Sequence, residues 1–284
     1  MDSSDLIARI ESIRPSSTSA SGPVQLPLWP DQVRAVPNGL LRSALFGAIK
    51  KGPRKYIVQE QIAALDGIEI SYTGERLDQG DLDVWECVLH VARLQEMGEQ
   101  SRFTAYSMLK ILGKTDTGKN RDTLHDRLVR LMANIVEVKQ GRYSYMGSLI
   151  AEAYKDHDSL EYVVILNPKL RPLFSGDQFT HLEWTVRHAL VGKPLAQWLH
   201  GFYSSHAKPF PIKVETLHRL CGSESKRLSD YKIDLRRALG EVAEASKIHG
   251  QVFRYAIRGD LVHVEKLPNR TQRMHLVRRG KAVK

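Results

Sequence analysis

Cysteine is scarce in this chain: Cys87 and Cys221 are the only two among 284 residues. They are far apart and each lies in a helix-like apolar pattern. This argues against a disulfide framework or a thiolate metal site and predicts two buried thiols in a reducing compartment. No run of about 18 apolar residues exists, so the sequence predicts no membrane-spanning helix. The first residues lack a basic stretch followed by an apolar one, and we therefore expect a cytoplasmic protein without an export signal.

Acidic residues are fewer than basic ones in this chain. There are 32 Asp and Glu against 42 Lys and Arg, which gives a net charge of +10. Such an excess favours a polyanionic partner, of which nucleic acid is the commonest. Glu265 is the single acid in the last twenty residues, and we assign 267–284 to a basic tail. A solvated tail that only aids solubility is the alternative.

Residues 213–245 predict two helices joined by a tight turn. Gly222 tolerates the left-handed backbone that ends helices, and Ser223 can cap the second helix. Apolar residues recur along that helix at the spacing that buries one face: Leu228, Tyr231, Leu235, Ala238, Val242 and Ala245. The opposite face is mainly basic, and the residues on it are Lys226, Ser229, Ile233, Arg236 and Arg237. A helix-turn-helix with a cationic outward face suits the major groove of DNA.

Two strand-like runs follow, 252–257 and 261–264, with Arg258-Gly259-Asp260 between them. This pattern predicts a β-hairpin, or wing, beside the second helix. The candidate DNA-binding residues of this region are Lys226, Arg227, Ser229, Lys232, Ile233, Arg236, Arg237 and Arg258. If this pattern occurred only once in the chain, a helical hairpin with a solvated charged face would be the preferred alternative.

The pattern of two helices followed by strands recurs from residue 101 onward, with its helices at 101–132. This recurrence favours DNA-binding units over a helical hairpin with a solvated charged face. A short helix, a polar turn at 113–118 and a helix capped by Thr117 precede strand-like runs at 135–138, 143–154 and 160–166. We place Lys119 and Arg130 on the outward face together with Asp122 and Asp126, and the two carboxylates offset attraction to phosphates. Thr117, Lys119 and Arg121 are candidate DNA contacts, with weaker readout expected than in the second copy.

Residues 1–39 predict a disordered segment, because a polar stretch rich in Ser and Pro buries no core. Within it, Gln25, Leu26, Leu28 and Trp29 have the form of a docking peptide: a glutamine at a pocket rim and apolar side chains inside. The peptide is similar to the bacterial sliding-clamp binding motif, Gln-Leu-x-Leu-Phe, with Trp29 in place of the phenylalanine. A chance apolar patch is the alternative.

These patterns predict an α+β fold of two tandem winged-helix domains after a disordered N-terminal segment. We place the N-terminal winged-helix domain at 40–175, inter-domain helices at 176–208 and the C-terminal winged-helix domain at 209–266. The aromatic residues of the inter-domain helices, such as Trp184 and Trp198, are interpreted as core between the domains.

No residue pattern indicates catalysis convincingly, so we expect a protein that is not an enzyme and needs no cofactor or metal. Residues 113–120 space two glycines and a lysine as a phosphate-binding loop does. However, Asn120 replaces the hydroxyl that would hold magnesium, and a helix pattern precedes the loop in place of a strand. Tyr143 and Tyr145 lack a nearby acid and histidine to activate a nucleophile. A nicking or recombining enzyme remains an alternative that mutation of these tyrosines tests.

The chain resembles the TrfA-type, iteron-binding plasmid replication initiators over roughly residues 25–266. The residues that carry the resemblance are the segments 25–30, 38–46 (NGLLRSALF), 219–223 and 260–263. The resemblance implies binding to double-stranded repeats of a plasmid origin, and contact with the single strand of the opened origin. It further implies recruitment of the host initiator, the replicative helicase and the sliding clamp, and a homodimeric form beside active monomers.

The sequence thus favours a non-enzymatic initiator whose second helix pair reads origin repeats. A winged-helix transcriptional repressor with the same DNA-binding parts is the alternative. The clamp-like peptide discriminates between the two functions, since a repressor has no use for a clamp.

Overall fold

The computed structural model describes residues 25–50, 52–140, 143–156, 158–159, 161–176, 178–269, 271–274 and 276–277. The predicted disorder of 1–24, the turn at Gly141 and the end of the basic tail lie outside these residues. The helices, in chain order, are α1 (Asn38–Leu41), α2 (Gln79–Ala92), α3 (Ala105–Ile111), α4 (Gly118–Met132), α5 (Trp184–Ala189), α6 (Pro194–Ser204), α7 (Val214–Leu220) and α8 (Leu228–Ile248). A 3₁₀ helix spans Pro168–Phe174.

The strands are short and form several small sheets. In chain order they are β1 (Val33–Pro37), β2 (Phe46–Gly47), β3 (Tyr56–Ile62), β4 (Ile68–Glu75), β5 (Leu77–Asp78), β6 (Gln100–Thr104), β7 (Ile135–Gln140), β8 (Tyr143–Gly147), β9 (Glu152–Lys155), β10 (Glu161–Ile165), β11 (Phe179–Glu183), β12 (Ile212–Lys213), β13 (Phe253–Arg258) and β14 (Leu261–Lys266). Their sheets have the orders β1-β11, β2-β5, β6-β10-β9, β3-β4-β7-β8 and β12-β14-β13. The protein is a mixed helix and strand structure.

Two hydrophobic cores divide the chain. The first unit has a core that runs from Leu26 to Leu182, and the second unit has one from Val186 to Val264. Helices α5 and α6 contribute to the second core, and α6 packs along α8. The segment 176–208, predicted to lie between the domains, has apolar residues in both cores. Leu182 lies in the first core, whereas Trp198, Phe202 and Tyr203 bury their rings in the second.

Helix α2 is the centre of the first unit. Asp78 caps it, and its side chain and that of Asp81 exchange hydrogen bonds with each other's backbone N–H groups, each at 2.8 Å. This capping box satisfies donors that a helix start otherwise leaves open. Trp85 and Leu89 of α2 are fully buried, so the helix is covered on most sides, as an apolar sequence requires.

The predicted wing of the first unit is larger than a hairpin. Strands β7 and β8 pair as expected, but β7 also pairs with β4, and β4 with β3. The sequence signal for β4 is the alternation of Ile70 and Tyr72, which are buried, with partly exposed neighbours. The predicted strand 143–154 is wrong in extent, because Gly147 ends β8 and β9 pairs with a different strand, β10.

Residues 25–39 are ordered against the first core, which corrects the prediction of disorder there. Strand β1 pairs antiparallel with β11 from Val33 opposite Glu183 to Pro37 opposite Phe179. Leu26 and Trp29 are buried, at 2% and 4% exposure. A composition rich in proline therefore did not prevent packing here, because the apolar residues between the prolines find a nonlocal partner surface.

Buried polar contacts join the two units. Arg187 of α5 is fully buried, and its Nε donates to Oδ1 of Asp83 of α2 at 2.7 Å. Nε2 of Gln197 donates to Oδ2 of the same carboxylate at 3.0 Å. Trp198 Nε1 donates to the Ser43 carbonyl oxygen at 3.0 Å. Because each contact pairs a buried donor with one particular acceptor, the relative orientation of the two units is fixed.

Candidate nucleic-acid interface

Helices α7 and α8 follow one another and are joined by the turn 221–227, in the region where the sequence predicts two helices and a turn. Helix α7 ends at Cys221, and Gly222 takes the left-handed backbone with φ of 63°. His218 Nε2 lies 2.9 Å from the Ser225 carbonyl oxygen, which holds the turn closed. Tyr231 and Leu235 bury the inner face of α8 against α7. The second helix is thereby presented on the surface of the unit.

Two details of this region differ from the prediction. Ser223 does not cap α8: the N-cap residue is Arg227, and the Ser223 hydroxyl accepts from the Ser225 N–H at 3.2 Å inside the turn. Leu228, which was predicted on the buried stripe, is 42% exposed. It is the first residue of the helix. Lys226 and Arg227 consequently lie in the turn and not on the helix.

The outward face of α8 is confirmed as exposed. Ser229, Ile233, Arg236 and Arg237 are all exposed, and Ile233 shows 63% of its surface. Ile233 belongs to neither core among the described residues, and an exposed isoleucine on a basic helix face is suited to contact a thymine methyl group. The backbone of α8 thus places an apolar and a cationic group side by side on its accessible face.

Ion pairs separate the cations of this face into two groups. Arg227 pairs with Asp230 at 2.9 Å, Arg237 with Asp234 at 2.6 Å, and Lys232 with Asp260 at 2.8 Å. Lys226 and Arg236 form no ion pair with any residue that the structure describes. On the outward face of α8, Arg236 is therefore the cation that no described residue pairs with.

The hairpin that the sequence analysis interprets as a wing lies beside α8. Strands β13 and β14 pair from Phe253 opposite Lys266 to Arg258 opposite Leu261, with Gly259 and Asp260 as the two-residue turn. Lys232 Nζ of α8 donates a hydrogen bond to Asp260 Oδ1, and this contact connects the tip of the hairpin to the helix. Lys232 lowers the pKa of Asp260 below its usual range, through the hydrogen bond and its charge. Arg258, at the end of β13, is exposed next to this contact.

Helix α4 is the counterpart in the first unit. Thr117 caps it, as predicted, by accepting from the Asn120 N–H at 3.3 Å. Lys119 is exposed, while Arg121 holds Asp116 through two bonds at 2.6 and 2.7 Å. Asp122 and Asp126 are exposed, as expected from the sequence. Lys119, Asp122 and Asp126 of this helix form no ion pair with a described residue, so its outward face is less positive than that of α8.

The assignment of Arg130 to this outward face is wrong. Arg130 Nη1 donates to Asp81 Oδ1 at 2.6 Å, and Arg127 Nη1 donates to Asp78 Oδ1 at 2.7 Å. Arg54 completes the cluster through Asp78 at 2.5 Å. Burial raises the pKa of Asp78, but Arg127 and Arg54 more than reverse the effect and hold it well below its usual range. These arginines fix α4 against the start of α2 and are not available to DNA.

The predicted docking residues differ in how far their side chains are exposed. Leu28 is 67% exposed, but Leu26 and Trp29 are inside the first core. Trp29 Nε1 donates to His90 Nδ1 at 3.1 Å, and Gln25 Nε2 donates to the Arg93 carbonyl oxygen at 3.1 Å. Of the four predicted docking residues, Leu26 and Trp29 are thus packed in the first core and Gln25 bonds to Arg93 at the end of α2.

Asp31 closes this segment over α2. Its carboxylate lies 3.2 Å from His90 Nε2 and 2.6 Å from Arg93 Nη2. Burial, with the charges of Arg34 and Arg93, lowers the pKa of His90 to about 4. The neutral ring accepts from Trp29 and donates to Asp31. We call residues 25–31, held in this way, the strap.

Comparisons with known proteins place the chain in a defined family. The family described as "TrfA protein" matches residues 22–266. The plasmid replication initiator protein TrfA of Escherichia coli is 31% identical over 246 residues, which cover 84% of this chain. The chain spans 63% of the length of that relative.

Crystal structures of domains 2 and 3 of RctB resemble the fold. One superposes with a TM-score of 0.52 at 14% identity and covers 81% of this chain and 96% of that chain. A second superposes with a TM-score of 0.50 at 14% identity and covers 82% and 97%. Among the described residues, no helix is both long and apolar enough to cross a membrane.

Proposed function

Because the chain belongs to the TrfA protein family, we propose that it is a plasmid replication initiator that binds repeated duplex sequences of an origin. We further propose that its two units act as tandem winged helices, with α4 and α8 as their recognition helices. In this function the protein is not an enzyme. It binds the origin, promotes its opening and brings host replication proteins to it, including the host initiator and the replicative helicase.

The main structural support for this proposal is the outward face of α8. Arg236 has no partner among the described residues, and Ile233 is an exposed apolar residue beside it. An arginine can bond to the edge of a guanine and an isoleucine can contact a thymine methyl group, so the pair suits base readout. Lys226, Arg227, Lys232 and Arg258 surround this face and are placed to contact phosphates, which supply affinity without sequence preference.

Substitution of Arg236 by alanine is the direct test. The preferred duplex is first selected from a pool of random sequences with the full chain. We expect Arg236→Ala to weaken binding to that duplex by about 1–3 kcal/mol, roughly 5- to 150-fold, because a base contact is lost. Thermal stability should not change, since the side chain is exposed. Fluorescence anisotropy at fixed salt measures the affinity.

Lys247→Ala is the matched control, because Lys247 is an exposed cation on the last turn of α8. It removes the same charge from the same helix but lies far from the proposed contact. Equal losses for the two variants would contradict base readout by Arg236. Selection that yields no preferred sequence would contradict the proposed function itself.

A transcriptional repressor would use the same face of α8, and docking on the sliding clamp separates the two functions. We propose that the strap is the clamp-docking segment and that it must leave α2 before it docks. Trp29, which would enter the partner pocket together with Leu28, is buried in the first core, as is Leu26. Alanine at Trp29 is therefore unsuitable as a test in the full chain. Loss of a buried tryptophan costs about 3–5 kcal/mol of folding stability, so a loss of docking could not be told from unfolding.

Asp31→Ala is the informative change for docking. Asp31 is 80% exposed at its side chain and bonds to both His90 and Arg93. Its removal loosens the strap by up to about 1 kcal/mol without opening the core. We expect the full chain to bind purified sliding clamp roughly fivefold more tightly, and a peptide of residues 24–30 to bind on the order of micromolar.

Leu28→Ala in the same peptide is the control, because Leu28 is an anchor that the protein leaves exposed. It should abolish peptide binding, as measured by calorimetry. A soluble peptide that shows no binding at high micromolar concentration would favour the repressor. Peptide binding together with an unchanged Asp31→Ala variant would show that the strap does not limit docking.

A further inference from the structure

A groove follows the junction of the two units. It consists of two adjoining cavities of about 470 and 500 Å³, which share Lys50, Gly192 and Pro194. Lys119 of α4 lines the first cavity, and Arg237 of α8 lines the second. The groove therefore connects the two candidate recognition helices, and Lys50 lies where its halves meet.

The acidic residues of this groove are neutralised by partners. Those partners are an arginine or a lysine in every case: Asp78 with Arg54 and Arg127, Asp83 with Arg187, Asp234 with Arg237, Glu224 with Arg76, and Glu241 with Lys193. Lys50, Lys114 and Lys119 also line it, are exposed, and form no ion pair with any described residue. The rim consequently carries an excess of positive charge that the protein itself does not compensate.

We propose that these lysines bind backbone phosphates of the DNA segment that lies between the base pairs contacted by α4 and α8, with Lys50 at the centre. The inference rests on the proposed function, because it requires both helices to face one duplex. A lysine ammonium is a compact charge on a flexible stem, which suits a phosphate and carries no base preference. Lys50 then adds affinity for any sequence and holds the intervening segment in place.

The orientation of the two units supports a bridging role. The Arg187 contacts fix one unit against the other, so the distance between α4 and α8 is set by the fold. A duplex that reaches both helices must cross the groove that joins them. Its phosphates there would meet Lys50, Lys114 and Lys119, whereas the neutralised carboxylates offer little repulsion.

The test uses the full chain with the selected duplex and with a scrambled duplex of equal length. We expect Lys50→Ala to lower the slope of log affinity against log salt by about 0.9, the value for one phosphate contact in duplex DNA. Affinity for both duplexes should fall by the same factor. In hydroxyl-radical footprinting, Lys50→Ala should lose protection in the segment between the two protected sites.

Lys169→Ala is the matched control, an exposed lysine on the 3₁₀ helix outside the groove. Its salt slope and footprint should equal those of the wild type. The inference is overturned if Lys50→Ala shows the same salt slope and footprint as Lys169→Ala. That result would favour a protein, and not DNA, as the partner that binds in the groove. It is also overturned if only the selected duplex is affected, since that indicates base contact. Wild-type protein without any preferred duplex would contradict the proposed function instead.

Discussion

Arg187→Ala should destabilise the protein by about 3–5 kcal/mol, the range for removing one partner of a buried ion pair. The guanidinium is fully buried, donates to Asp83 and contacts both the side chain and the carbonyl oxygen of Gln79. Without it, the Asp83 carboxylate keeps Gln197 as its remaining donor in a site with little access to water. Urea unfolding monitored by circular dichroism gives the difference in free energy.

Arg254→Ala provides the comparison for this loss. Arg254 is 75% exposed at its side chain and lies 3.7 Å from Glu265, and exposed pairs of this kind contribute about 0–1 kcal/mol. We expect it to leave unfolding nearly unchanged. A loss of less than about 1 kcal/mol for Arg187→Ala would show that the junction does not depend on this residue. Two separate unfolding transitions in that variant would show that Arg187 couples the two units.

Glu86→Gln should stabilise the protein at alkaline pH. Burial raises the pKa of Glu86 to about 8, although the charge of Arg187 opposes the shift. The folded protein therefore keeps the Glu86 proton to a higher pH than the unfolded chain does. The contribution of this group is fully present below about pH 4.5 and is lost as the pH rises through about 8.

Glutamine resembles the protonated acid and does not titrate. We expect the variant to equal the wild type near pH 4 and to exceed it on the order of 4 kcal/mol at pH 8. Unfolding free energies measured at several pH values provide the test. Parallel pH profiles for the two proteins would contradict a raised pKa, and equal destabilisation at every pH would indicate a packing defect.

Local features of the fold were predictable from the sequence. The period of the apolar residues gave the buried face of α8, from Tyr231 to Ala245, because a helix places residues three and four apart on one side. Thr117 was predictable as a cap and Gly222 as a turn residue, since both roles depend on backbone geometry within a few residues. The pairing of β13 with β14 was predictable from two strand-like runs separated by Arg258-Gly259-Asp260, although Arg258 itself pairs with Leu261.

Features that depend on distant residues were not predictable. Arg130 has the spacing of an exposed helix residue, but its partner, Asp81, lies 49 positions away. Trp29 lies in a proline-rich stretch, and its partner, His90, is 61 positions away. Composition and periodicity describe a segment alone, so they could not show that α2 receives both contacts. The separation of paired from unpaired cations on α8, through Asp230, Asp234 and Asp260, likewise required the structure.

The central claim is that the outward face of α8 reads the base sequence of duplex DNA. The affinities of the wild type and of an Ile233→Ala, Arg236→Ala double variant for the selected and the scrambled duplex, at one salt concentration, test it most directly. The wild type should prefer the selected duplex by about a thousandfold or more. The double variant should lose at least about tenfold of that preference, with a smaller change on the scrambled duplex. An unchanged ratio of the two affinities would contradict the claim.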